Sequence, residues 1–499
     1  MNIIKSTFNR IKTMITKPIS EMTTPELLKP MLLPSEAEVK RQKLVIKARR
    51  FHEGEEAAKL DDRLKDFLSE DDFSLNFVAT INDAVTERLE IEDTKVLSEK
   101  GVEQADQQEW WKEFWRGNRL DVHQADIHET TITESEYFGI IDFDNDNNRA
   151  RLTPHQRYIA AERGGDDQGV MMVYPGDNYN RKPLYALKRW QETIDGKLQD
   201  HINLYAPGEL IEYKRGNATW QEIARTKLVN PSTGESLGIP VVHFKTPKLR
   251  PEAQRAWPVQ RLLNKLVTDL VMESDQNAFR IWLFFGWEPK DKDGNPIKIN
   301  VGSWIGAPGA KAGDATASPV EPVDLTSQSA TIDAFTLRMV MLTSTPASRF
   351  QLGKQVAAEG TLKQQEAPLI KKCERRSGVL ATAWQDAFTL ARRWHNAFAD
   401  PARTDYVALD ESARFEVEWE PFYAESQADL QVEAQTDLLK VNLVSAKYSA
   451  GFIDKKQGAL ELGYDETKFN EMMKNRDAEN EKNQDAAARL FNGGGALNG

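Results

Sequence analysis

Pro258-Val-Gln-Arg-Leu-Leu-Asn-Lys-Leu-Val-Thr-Asp-Leu270 decides how the rest of the chain is read. Pro258 stands at a helix's first position, where a fixed φ and a missing N–H are tolerated. From there Val259, Leu262, Leu263, Leu266, Leu270, Ala278, Ile281 and Phe284 fall on a 3.6-residue stripe, and Arg261, Lys265, Asp269 and Arg280 take the other face. Gly286 and Pro289 supply a stop. The pattern predicts one rod of roughly 40 Å, from about 28 residues at ~1.5 Å each. A second helix is expected over residues 327–345, on Ile332, Phe335, Met339 and Leu342, with Pro346 ending it. A third opens at Thr361, with Gln364 placed for a capping box, and runs through Leu369, Leu380, Trp384, Phe388, Ala391 and Phe398. Pro368 inside that pattern is expected to kink the helix or delay its start.

Between the first two rods lies an excursion of about 40 residues with little regular pattern, a length at which loops are functional or disordered. Packed alone, the rods make an αα-hairpin with an oversized loop. Packed against copies of themselves in a ring, they carry the excursion at one end as a docking surface. Asp293-Gly294, flanked by alternating residues, signals a β-hairpin within it. The Gly/Ala/Pro-rich run from Gly306 to Ser318 has no phosphate-loop Lys-Ser/Thr after it, so no nucleotide site is expected there.

With 499 residues the chain is long enough for two to four domains. No run of about 18 apolar residues marks a membrane helix. The lone Cys373 excludes an internal disulfide and a thiolate metal cage, and is read as a buried small residue on the third helix. Without a signal peptide, a reducing cytoplasm is the simple inference. The net charge of −12 argues against a protein built to grip DNA, which is normally basic. An acidic wall instead lets DNA slide.

Residues 1–20 carry Ile3, Ile4, Phe8, Ile11 and Ile15 with Lys5, Arg10, Lys12 and Lys17, a basic amphipathic segment read as an arm on a neighbouring subunit rather than a membrane contact. Charged helical sequence follows over 35–69, then an apolar stripe at Phe77, Ile81, Ala84, Val85 and Leu89. Trp110, Trp111 and Trp115 are read as core. From Tyr137 the period becomes strand-like: Phe138–Phe143 and Arg149–Leu152 form a hairpin around the polar turn Asp144–Asn148. Further short strands are expected at 170–173, 186–190, 202–205, 211–215, 240–244 and 415–419. Residues 424–482 read as two helices around Ser449-Ala-Gly451.

Two chemical readings compete. Asp142, Asp144 and Asp146 mimic the first half of a calcium loop, but the sixth position is Asn147 rather than Gly and the twelfth Thr153 rather than Glu. A metal-dependent hydrolase would use these aspartates with His123, His128 or His155, although His128-Glu129 lacks the second His of a zinc-protease motif. The C-terminal helices could form a DNA-reading helix-turn-helix, against which Glu461, Asp465, Glu466 and Glu471 crowd the reading helix. Neither reading reaches a catalytic, cofactor or metal assignment.

The words Pro258…Leu270 with Phe279 and Gly286-Trp287, then Thr345-Pro346, then Glu359-Gly-Thr-Leu-Lys-Gln-Gln-Glu-Ala-Pro-Leu369 resemble, in order and spacing, the portal (head–tail connector) proteins of tailed double-stranded DNA bacteriophages. The stretch Asn76–Leu89 followed by Trp110-Trp111…Trp115-Arg-Gly-Asn-Arg-Leu-Asp121 resembles their wing. The resemblance implies an α+β portal-type fold assembling as a ring, a dodecamer in the family. Its parts are an N-terminal arm (1–45), the first part of the wing (46–256), a stem helix (257–286), a clip (287–326), a second stem helix (327–346), a tunnel loop (347–360), the long wing helix and strand (361–424), a crown (425–482) and a disordered tail (483–499). It also implies no enzymatic activity, the motor ATPase being a separate protein. Arg349, Gln351, Lys354 and Gln355 are expected to face DNA from the tunnel loop. Leu262, Leu266, Leu270, Ile281, Ile332, Phe335 and Met339 are expected at subunit contacts or the channel, and Trp287, Lys290, Lys292 and Trp304 at the clip's docking surface. The implied partners are copies of the chain, duplex DNA passing non-specifically, the terminase large subunit, a head-completion protein, and capsid or scaffolding protein. The implied location is a capsid vertex of the virion, after assembly in the host cytoplasm.

Overall fold

The computed structural model describes residues 19–56, 75–157, 167–194, 196–217, 219–278, 282–285, 290, 295, 316–319, 324–350, 359–403, 406–423, 427–463, 469, 472–474 and 476. By compactness the chain divides into two units, Met1–Phe422 and Tyr423–Gly499.

The first unit opens with α1 (Thr24–Leu32) and α2 (Glu36–Glu53). At the start of α1, Thr23 N–H donates to the Glu26 carboxylate at 2.7 Å, and Ser35 Oγ accepts from Glu38 N–H at 3.2 Å before α2. Gly54, at φ 81°, ends α2 in the left-handed conformation that only glycine adopts cheaply. Then come α3 (Phe77–Thr86), β1 (Ile91–Leu97), α4 (Ala105–Gly117) and α5 (Leu120–Glu134). After these, β2 (Glu136–Asp144) and β3 (Arg149–His155) form the expected hairpin, Asp144 facing Arg149 across the turn.

Five strands follow as a meander of nearest neighbours: β4 (Asp167–Val173), β5 (Tyr185–Ile194), β6 (Lys197–Ala206), β7 (Glu209–Arg215) and β8 (Trp220–Lys227). Alternation along them builds two cores. Met171, Tyr185, Leu187, Ile202 and Leu204 pack with Leu27 and Leu28 of α1. Val170, Met172, Ala186 and Tyr205 pack with Phe138, Ile140 and Val241. The latter residues belong to a three-stranded antiparallel sheet in the order β3-β2-β9, with β9 at Val241–Lys245. From Ile19 on, therefore, the expected arm lies on this chain's own sheet, and Tyr185 Oη donates to Leu27 O at 3.0 Å. Ile3 to Lys17 lie outside the described residues.

α6 spans Trp257–Ala278, shorter than the predicted rod: Trp282–Phe285 is a strand, β10, paired antiparallel with β11 (Thr316–Pro319). The run Trp-Leu-Phe-Phe fits the helical stripe by spacing alone. Its aromatic content suits an extended, paired backbone equally well, and the partner strand decides. α7 covers Leu325–Thr343, with Asp324 Oδ1 accepting from Thr326 N–H at 2.9 Å. α8 runs from Glu359 to Phe398, two residues earlier than expected, and passes Pro368 as one 40-residue element. Its buried stripe, Leu369, Cys373, Leu380, Trp384, Phe388 and Ala391, packs with Trp111, Tyr137, Ile141, Leu152 and Phe244 as the largest core. β12 (Arg414–Trp419) closes the unit by pairing with β1.

The second unit holds α9 (Gln427–Ser449) and α10 (Lys455–Glu461) around a turn at Gly451, φ 73°. Asp454 Oδ1 caps α10 by accepting from Gln457 N–H at 2.7 Å, and Gly458 lets the two helices close: a Cβ there would meet Val444 Cγ1 at 3.3 Å.

Candidate functional site

The two helices α6 and α7 carry the surfaces on which the sequence reading rests. Leu263 near the start of α6 and Met339 near the end of α7 share one core with Ala48, Phe51, Val78, Ile81 and Trp257, so the pair runs antiparallel. Phe51 stacks on Trp257 at 5.0 Å between ring centroids. The buried side of α6 is partly polar. Gln260 donates to Asn264 Oδ1 at 2.7 Å, and Thr268 Oγ1 to Asn264 O at 2.9 Å, all three residues being buried. From α7, Thr336 and Thr343 return their hydroxyls to Ile332 O and Met339 O. Such back-bonding satisfies buried hydroxyls inside the helix itself.

Met339, expected at a subunit contact or the channel, is fully buried in this chain's own core, and Ile332 and Phe335 pack partly against it. The reason is the helical period, which turns 332, 335/336, 339 and 343 toward α6. The outward face of α7 is instead Leu337, 46% exposed, and Met341, 73% exposed, with Leu342 beside them. Leu262, Leu266 and Leu270 on α6 are half-buried. Ile281 lies outside the described residues.

Arg349 sits in the turn Ala347–Arg349 after α7 and pairs with Glu87 at 2.9 Å, so a carboxylate of this chain accompanies its charge. Gln351, Lys354 and Gln355 lie outside the described residues. So do Trp287, Lys292 and Trp304 of the expected docking surface, and Asp293-Gly294, while Lys290 is exposed at a single bridge position. On β10, Leu283 and Phe285 point the same way by strand alternation and are both exposed. The sequence reading named neither. Their placement two apart in an apolar run was the available signal.

The competing chemical sites do not assemble. Asp142 pairs with Arg151 at 2.6 Å, and Asp144 holds the turn by accepting from Asp146 and Asn147 N–H. His128 is fully buried between Leu89 O and the Trp384 indole, and burial pushes its pKa down to about 4. Among the described residues no three or more His, Cys, Asp or Glu side chains are grouped to hold a metal ion. Burial pushes the Cys373 thiol up to about 11, which leaves it a packing residue rather than a nucleophile. In the second unit Glu461 pairs with Lys447 at 2.8 Å.

A few charged side chains are buried inside the first unit. Glu134 takes a two-point bond from Arg49, at 2.5 and 2.9 Å. Glu136 meets Arg41 at 2.8 Å, Arg157 at 3.4 Å and His243 at 3.0 Å. Burial alone would raise the Glu136 carboxyl, but Arg157, Arg41 and His243 hold it far below its ordinary value. This network ties α2 to the end of α5, to β2 and β9, and to Arg157 just past β3.

The family described as phage portal protein, SPP1 Gp6-like, matches residues 69–485, well over half of the chain. No curated protein matches. Among solved structures, a chain in the neck of an empty GTA particle, computed with C6 symmetry, aligns at 11% identity with a TM-score of 0.41, covering 84% of this chain and 99% of that one. A likeness that weak decides nothing about this chain.

Proposed function

The chain belongs to the SPP1 Gp6-like family of phage portal proteins, and from that premise we propose that it works as a closed ring at one capsid vertex, through which duplex DNA is packaged and ejected. α6 and α7 form the stem, and β10 joins β11 and the rest of 287–326 in the clip. Residues 347–360 form the tunnel loop, 46–256 with 361–424 the wing, and 425–482 the crown. The clip docks the terminase motor and later a head-completion protein. No residue is assigned to bond breaking, since positioning and electrostatics suffice for a conduit. The particle forms in the host cytoplasm.

One observation carries the ring. Leu337 and Met341, one turn apart, face outward from a helix whose opposite side is already filled by Met339. A neighbouring copy of the chain is the occupant a ring supplies for such a stripe. Arg349 of each copy, with its partner Glu87, then recurs around the axis, and the chain's net charge of −12 keeps the average hold on DNA weak.

The test is native mass together with particle images. Twelve copies of a 56.6 kDa chain give about 680 kDa, and images should show a central hole. A compact monomer at micromolar concentration would end the reading.

A further inference from the structure

The cleft between the turn Pro247–Leu249, the end of α7 and the exposed face of α8 gathers charge of one sign. It encloses about 620 Å³ and is lined by seven Lys or Arg side chains against one carboxylate, in a chain of net charge −12. That carboxylate, Glu252, is engaged within the fold, 3.3 Å from Lys372 Nζ and 2.8 Å from Arg376. Lys372 also donates to Thr343 O at the end of α7. The other five cations, Lys248, Arg250, Arg255, Lys371 and Arg375, are exposed, and none meets a carboxylate among the described residues. Lys371 and Arg375 stand one helical turn apart, about 5–6 Å between Cβ atoms, where like charges repel. The rim is held in an unfavourable backbone: Lys248 and Leu249 have φ of 63° and 48°, and Ser344 at the end of α7 has 56°. Left-handed non-glycine residues persist where the surrounding structure over-determines them, and cluster at binding sites.

We propose that this cleft is a phosphate-binding site, taking several phosphates of a polyanion at once. Five cations that meet no carboxylate among the described residues, converging on one concavity, call for a ligand with repeated negative charge at short spacing. A carboxylate side chain brings one charge. A phosphate chain brings one per unit, with oxygen pairs that match the forks of Arg250, Arg255 and Arg375. Two sources share that chemistry: the backbone of duplex DNA, which the portal reading brings past every subunit, and a free oligophosphate. Only the first rests on that reading.

The experiment compares the wild-type protein with Lys371→Ala/Arg375→Ala, and with the charge-preserving Lys371→Arg/Arg375→Lys. Anisotropy of a short mixed-sequence duplex is followed from about 50 to 200 mM salt. If DNA is the source, the Ala pair lowers the magnitude of the log K against log salt slope by about two, roughly one per lost phosphate contact, and the charge-preserving pair keeps it. If free oligophosphate is the source, inorganic tripolyphosphate at fixed ionic strength raises the wild-type melting temperature and not that of the Ala pair, with duplex binding unchanged. If neither probe distinguishes the Ala pair from wild type, the proposal is overturned. It is also overturned if the Ala pair melts normally but loses its assembly with both probes unaffected, which gives the cations to a neighbouring copy's carboxylates. Native mass of the wild type reports separately on the ring, so failure of the portal reading and failure of the cleft are told apart.

Discussion

Trp384 Nε1–H donates to His128 Nε2 at 2.9 Å, and because an indole nitrogen can only donate, the imidazole proton sits on Nδ1, where it meets Leu89 O at 2.6 Å. Three segments of the chain are thereby joined: the turn after α3, the middle of α5 and the middle of α8. Trp384→Phe keeps most of the ring volume and leaves His128 Nε2 buried without a donor. The expected cost is about 1–3 kcal/mol, read as a lower urea midpoint with an unchanged slope. A midpoint equal to wild type would mean that the bond adds nothing to the fold.

The same burial makes the fold acid-sensitive. His128 and His243 are both pushed down to about 4, burial being the largest cause in each. Their folded pKa lies below the unfolded value near 6.5, so the unfolded chain takes up protons first as pH falls. The stability that depends on the neutral rings is therefore complete above about pH 6.5 and is lost between there and about 4, at up to ~1.4 kcal/mol per pH unit for each histidine. Melting temperatures at about pH 7, 5.5 and 4.5 should fall in that order. His128→Gln, which can still accept from Trp384 and donate to Leu89 O, should flatten part of the slope. A wild-type profile flat down to pH 4.5 would contradict the neutral rings.

What the chain's order reveals depends on how local the information is. The β2–β3 hairpin was legible because alternation and a polar five-residue turn lie side by side in the sequence. β1 was not. Ile91–Leu97 gains its meaning from Phe415 and its neighbours, more than 300 residues away. β10 was misread as helix because four apolar residues in a row satisfy both periods until a partner strand is known. On α7 the sequence reading picks out the inward Ile332, Phe335 and Met339 but sets the exposed Leu342 on the same stripe and passes over Leu337 and Met341, since Met339 and Met341 differ only in which side the neighbouring helix occupies. Glu134 and Glu136 carry no local mark of burial in the sequence, and only their distant partners Arg49, Arg41 and Arg157 make them interior.

Those interior charges make a strong demand on stability. Glu136→Gln removes the anion while leaving Arg41 and Arg157 in place. Breaking one side of a buried pair typically costs about 3–5 kcal/mol, because the remaining charge keeps its desolvation penalty. The loss should show in denaturation of the whole chain, with the protease-sensitive sites appearing first in α2. A change under about 1 kcal/mol, within the range of an exposed pair, would mean that water reaches Glu136 and that the network is not a dry one.

The faces of α7 can be separated by two variants that differ by a few residues. Met339→Ala truncates a fully buried side chain and should cost about 2–5 kcal/mol of folding stability through the cavity it leaves. Leu337→Lys/Met341→Lys acts on side chains that are already exposed in the single chain, so its folding cost should stay within about 0.5 kcal/mol. In the proposed ring, however, each lysine pair would be pressed against a neighbouring copy, where an unpaired ammonium loses its hydration. The double variant should therefore melt like wild type as a subunit and fail to close, with native mass near 57 kDa rather than a high multiple of 56.6 kDa. Intact rings from that variant would move the subunit contact off this face of α7 and onto Leu262, Leu266 and Leu270, a half-buried stripe on α6.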